Sequence, residues 1–170
     1  MANQRGQIVM SHDEQVDFLN QQRSSTLGTY GPQGQIHLVG MWYGVLDDQI
    51  WFETKKKAQK TVNLRRDPRC SFLDEAGHTY DPLRGVAIEG QGVVVEDEDV
   101  VWDVCVNIFE RYNAPYTEEM KPFVEFMAKN RAAIRLDVDR VRSWDHRKLG
   151  MDALPLGGST AEHLERLDPA

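Results

Sequence analysis

The sequence predicts a mainly β fold with helices (α+β), arranged as a six-stranded antiparallel barrel. Three observations carry this expectation. Strand-like runs follow one another across short turns at Gly31-Pro32-Gln33-Gly34 and Asp47-Asp48, and strands joined so tightly pair antiparallel. Residues Ala132 to Trp144 set Ile134, Leu136, Val138 and Val141 against Arg135, Asp137, Asp139 and Arg140, the period of a strand with one buried face. The helix-like segments are grouped rather than placed one between each pair of strands, which favours a small barrel over a parallel sheet.

Taken in order, Ser11-His12-Asp13-Glu14 has the S-x-x-E form of a capping box. It opens a short amphipathic helix to about Gln22. Ser24 to Tyr30 is the first strand, Ile36 to Leu46 the second and Ile50 to Glu53 the third. A helix is then expected from Thr54, as N-cap, to Asp67, where the following Pro68 disfavours further helix. Arg69 to Asp74 and Val86 to Glu96 are the fourth and fifth strands, with a bulge expected at Gly90-Gln91-Gly92. Two helices follow, one opened by Glu96 to Asp99 and one from about Thr117 to Asn130. The strand from Ala132 to Trp144 closes the fold. Residues 1–150 form one expected domain, and the small, polar residues 151–170 an expected loose tail.

Composition narrows the function. The chain carries a formal charge of −7, which disfavours general nucleic-acid binding. No apolar leader or membrane-length run is present, and Cys70 and Cys105 sit in apolar segments without metal-type spacing. They read as buried thiols, and the chain as a soluble cytoplasmic protein. The five histidines show no metal-binding spacing, and there is no G-x-x-x-x-G-K-[ST] loop, G-x-S-x-G elbow or complete dinucleotide fingerprint.

The charge is unevenly placed. Thr54 to Cys70, TKKKAQKTVNLRRDPRC, holds seven basic residues and one acid among 17, or +6, so the rest sums to −13. With the helix starting at Thr54, Lys55, Lys56 and Lys57 would fill its first turn, the unfavourable end for cations. One explanation is a solvated basic face. The other is a bound phosphate, held by free backbone N–H groups and by Lys60 one turn on. Trp42-Tyr43 and Trp51-Phe52 are either core or the walls of a flat aromatic ligand.

The run IWFETKKKAQKTVNLRRDPRCSF resembles the strand–helix–strand of the pyridoxamine-phosphate-oxidase-like split-barrel proteins, through Phe52, Thr54, Lys60, Leu64, Asp67, Pro68 and Arg69. His37 to Gln49 is similar to the strand bearing the flavin-type ring. Ala87 to Gly92 resembles the V-x-x-E-G-x-A strand, and Arg140-Val141-x-x-Trp144 the terminal R-V-x-x-W. The likeness spans about residues 10 to 150. Ala58 and Gln59 stand where the flavin-mononucleotide (FMN) oxidases have Ser-Arg, and the arginine opening their cofactor strand is absent, with His37 nearby. N-L-R-R-D-P-R looks more like the actinobacterial branch that binds the deazaflavin coenzyme F420.

That resemblance implies a homodimeric split β-barrel with F420 at the subunit interface, reducing an electrophilic small molecule with hydride from F420H2. The cofactor-binding residues it implies are Met41, Trp42, Thr54, Lys55, Lys57, Ala58, Gln59, Lys60, Gln91 and Trp144. Lys55, Lys56 and Lys57 would meet the anionic oligoglutamate tail, and Arg131, Arg142, Arg147 and Lys148 are weaker candidates. His37, Tyr43 and the loop HTYDPLRG could line the pocket, and no catalytic acid is assigned. The alternatives are an FMN-dependent oxidase or reductase and a non-catalytic carrier of F420, haem or a fatty acid.

Overall fold

The capping box forms as expected. Ser11 Oγ accepts the Glu14 N–H at 3.3 Å, and Glu14 Oε2 accepts the Ser11 N–H at 2.6 Å. The helix it opens, α2 (His12–Gln21), follows a short α1 (Gln4–Ile8) and buries Phe18 against the barrel. Ser11→Ala is expected to cost about 1 kcal/mol, the usual worth of an N-cap, read as a lower denaturant midpoint at unchanged slope. The computed structural model describes residues 4–152, Gly157 and Gly158. The expected tail at 151–170 therefore lies, four residues apart, outside the described residues.

Among the described residues seven strands form one sheet: β1 (Ser25–Tyr30), β2 (Ile36–Met41), β3 (Gly44–Leu46), β4 (Gln49–Lys55), β5 (Arg69–Ala76), β6 (Arg84–Val95) and β7 (Arg131–Asp145). Their spatial order is β2-β1-β5-β6-β7-β4-β3, and every pairing is antiparallel. The two margins, β2 and β3, are the halves of the one strand expected over Ile36 to Leu46. Counted as a single bent strand they restore six, and the link through Trp42 and Tyr43 joins the margins of the barrel. The β3–β4 turn uses Asp47 and Asp48 at φ 51° and 59°, the left-handed pair of a type I′ hairpin.

The bend has a long-range cause. The Tyr43 N–H donates to Tyr112 Oη at 3.0 Å, and Trp42 stacks on the Tyr112 ring with centroids 4.4 Å apart. Tyr112 ends α4 (Glu98–Tyr112), which packs with α5 (Lys121–Ala128) on the outer face of β4 and β7. The helix expected over 117–130 is therefore a 3₁₀ turn, Glu118–Met120, followed by α5.

The basic segment departs most from expectation. Its helix, α3 (Gln59–Arg66), starts five residues later than the expected N-cap. Thr54 and Lys55 belong to β4, opposite Ala132 and Arg131 of β7. The ladder with β7 continues through Lys55 and outweighs local helix preference.

Two apolar cores result. One fills the barrel around Leu27, Tyr43, Phe52, Phe72, Val86 and Ile134; the other lies between Trp51, Ala133 and the α4–α5 pair. The bulge expected at Gly90-Gln91-Gly92 lies instead on the partner strand: pairing steps from Glu89↔Arg140 to Gly90↔Val138, leaving Asp139 extra on β7 while Gly90 to Gly92 stay paired. Cys70 and Cys105 are buried and unpaired, and burial pushes each thiol up to about 12. Among the described residues no helix is long and apolar enough to cross a membrane.

Candidate functional site

α3 begins after a turn in which the Ala58 N–H donates to Lys55 O at 2.9 Å and Thr61 Oγ1 donates to the same carbonyl at 2.9 Å. Ala58 is the N-cap, with no side-chain hydrogen bond, and the first turn contains no acid. The opening N–H groups of α3 consequently lack both an intrahelical acceptor and a capping side chain. Gln59 turns its amide along the helix to Asn63 Oδ1 at 2.8 Å, and Asn63 is tied to Thr29 at 3.0 Å.

The lysines around this turn divide into two groups. Lys56 pairs with Glu96 at 3.2 Å, and Arg65 pairs with the same carboxylate. Glu96 is held below the usual carboxylate range, chiefly by Arg65 and then by Lys56. Lys55 and Lys57 are exposed and make no ion pair among the described residues. Lys60 is partly buried. Burial holds its ammonium below the ordinary lysine range, opposed by Glu53 and reinforced by Arg131. Glu53 is pushed up by burial and pulled down by Arg131, whose Nη1 lies 2.9 Å from Glu53 Oε2, and by Lys60. One carboxylate thus answers two cations, one of which, Lys60, stands in the first turn of α3. These residues fit an anion.

Gln91 lies near the other end of α3. The Gly92 N–H donates to Pro68 O at 2.7 Å, and Leu64 covers Gly92 so closely that an added Cβ would stand 2.8 Å from Leu64 Cδ1. The remaining expected residues are not gathered here. Trp144 pairs with Gly85, six residues along β6 from Gln91, or about 20 Å at the rise of a strand. Trp42, 57% exposed, stacks at the C-terminal end of α4, while Lys56 meets Glu96 beside its N-terminal end. Met41 and Thr54 point into the protein, 9% and 3% exposed, and Thr54 is not a helix cap.

The secondary candidates already have partners. Arg131 is engaged by Glu53, Arg142 by Glu89, Arg147 by Asp145 at 2.6 Å and Lys148 by Glu14 at 2.6 Å. Tyr43 is fully buried in the barrel core. In the loop after β5, Tyr80 O lies 2.8 Å from His146 Nδ1, which ties that loop to the Trp144 end of β7. Sequence reasoning missed Glu53, Glu96 and Tyr112. The excess of acids outside the basic segment signalled that some would face it, but not which ones.

Residues 11–145 match the family model described as pyridoxamine 5'-phosphate oxidase. The chain belongs to this family. It is 55% identical to the conserved hypothetical protein Rv2991 from Mycobacterium tuberculosis, whose crystal structure matches with a TM-score of 0.90 over 92% of this chain and 98% of that one. A structure named F420 reductase matches at 0.58 and 20% identity, over 74% of this chain and 93% of that one. The heme storage protein HutZ from Vibrio cholerae matches at 0.63 and 13% identity, over 80% and 97%. At these identities the last two share the fold alone. The comparison with curated proteins gives no match.

Proposed function

We propose that this member of the pyridoxamine 5'-phosphate oxidase family is a homodimeric F420-dependent reductase acting on an electrophilic small molecule. The observation carrying this is the surplus of Lys55, Lys57 and Lys60 around the uncapped start of α3. Lys60 and the first N–H groups of α3 would hold the phosphate. Lys55 and Lys57, without acid partners among the described residues, would meet a polyanionic tail that FMN does not have. Ala58 and Gln59 offer neither the hydroxyl nor the guanidinium that an FMN phosphate meets in the oxidases. Bound F420H2 supplies the hydride, so the protein's contribution is binding, orientation and exclusion of water. Trp144, about 20 Å along the sheet from Gln91, would join the site from a second copy.

Titration of the purified protein with F420 and with FMN, followed by tryptophan quenching, tests this. F420 is expected to saturate and FMN not. The reverse result would overturn the reading. Saturation by F420 without oxidation of F420H2 by enones or quinones would favour the carrier alternative.

A further inference from the structure

One buried polar cluster takes no part in the proposed cofactor site. Asp74 on β5 is 2% exposed and Tyr43 is fully buried. Tyr43 Oη lies 2.8 Å from Asp74 Oδ2 and 2.7 Å from the carbonyl oxygen of Leu19, in the last turn of α2. A phenol has one hydrogen to give. With Asp74 ionised, two acceptors at hydrogen-bond distance would compete for it. A carbonyl only accepts, so both contacts are satisfied together when the carboxyl brings a hydrogen of its own. Asp74 Oδ1 is buried and makes no hydrogen bond of good geometry among the described residues, the Glu75 N–H giving the carboxyl only electrostatic support, which fits the same state. An unpartnered oxygen costs less on a neutral acid than on a carboxylate.

We infer that Asp74 is a neutral carboxylic acid in the folded protein, donating to Tyr43 Oη while Tyr43 donates to Leu19 O, and that this relay is a pH-sensitive clasp on the C-terminal turn of α2.

The surroundings support it. The nearby cation is Arg111 of α4, whose guanidinium lies 4.6 Å from the Tyr43 ring centroid. Its Nη2 donates to the carbonyl of Leu19 in α2 and, at 2.7 Å, to that of the C-cap residue Gln22, and it makes no ion pair with Asp74 among the described residues. β6 places apolar Val86 opposite Asp74, and β5 itself offers the Glu75 N–H. Burial pushes Asp74 up, against the Tyr43 hydrogen bond and Arg111, and burial likewise pushes the Tyr43 phenol up, so Tyr43 keeps its hydrogen.

Because the folded carboxyl holds its proton more tightly than the unfolded one, the clasp is complete below the unfolded value. It is lost as pH rises through the folded value. On ionisation the Tyr43 hydrogen turns to Asp74 and Leu19 O loses a donor. Val16 and Leu19 of α2 also face Ile50, Ile88 and Leu136 across a cavity of about 280 Å³, so a loosened α2 opens that space.

A carboxyl-carbon NMR titration of the intact protein tests the protonation, with Asp74→Asn or sequential assignment identifying the resonance. Asp74 is expected to remain protonated where exposed aspartates have fully ionised; titration alongside them would overturn the proposal. Amide exchange in the last turn of α2, corrected for intrinsic rates, tests the clasp. Protection is expected to fall at least tenfold across the Asp74 titration and to stay level in Asp74→Asn, which cannot ionise. Late titration with level protection in the wild-type protein would overturn the clasp.

Discussion

Replacing Lys60 with alanine is expected to weaken F420 binding by about 1.5–3 kcal/mol, roughly tenfold to 150-fold in Kd, the scale of a hydrogen bond to a charged group. The ammonium is partly buried and shares Glu53 with Arg131. A phosphate would supply the counter-charge that Glu53 alone does not. Anion binding should therefore raise the Lys60 pKa, and affinity should fall on the alkaline side as free Lys60 loses its proton. In the protein without cofactor, two effects of the substitution oppose each other: repulsion of Arg131 is relieved and support for Glu53 is withdrawn. The melting temperature is accordingly expected to move little. Titration calorimetry across pH, beside thermal melts of both proteins, checks this, and an unchanged Kd would remove α3 from the cofactor site.

Phe72→Ala is expected to cost about 3–5 kcal/mol, the range for losing a fully packed aromatic side chain and leaving its cavity. Phe72 is 1% exposed and meets Tyr43 edge-on at 5.4 Å and Phe52 at 6.1 Å. Its cross-strand neighbours, Leu27 and Ile88, are themselves core residues. Domains are commonly stable by about 5–15 kcal/mol, so the loss would remove a large share of the total. Urea unfolding at unchanged slope measures the loss. A cost under about 1 kcal/mol, the scale of a surface change, would mean that the barrel interior is not packed around this ring.

The local signals in the sequence were sound where local forces decide. The α2 capping box and the Asp47-Asp48 turn depend on neighbours within a few residues, and each formed; β7 formed too, but of the face expected to be buried only Ile134 and Leu136 are, while Val138 and Val141 are 51% and 38% exposed. The misses have distant causes. Local pattern cannot reveal that Tyr112, 69 residues away, captures the Tyr43 N–H and bends the second strand. The Lys55 to Lys57 run is compatible with helix in isolation, but the register with Arg131 and Ala132 keeps Thr54 and Lys55 extended. The basic segment was legible as an excess of charge. How that excess is shared among Glu53, Glu96 and Arg131 depends on elements that meet only in the folded protein. Lys60 was legible as a candidate, but its burial was not.

The position of β7 has a consequence for how the chain is made. This strand, the last of the described strands, inserts between β6 and β4, two strands completed well before it. During synthesis both wait with open hydrogen-bonding edges until residues 131–145 leave the ribosome, and exposed edges of that kind recruit other chains. A product truncated ahead of Arg131 would keep those edges permanently, so premature termination should yield aggregates rather than a smaller barrel.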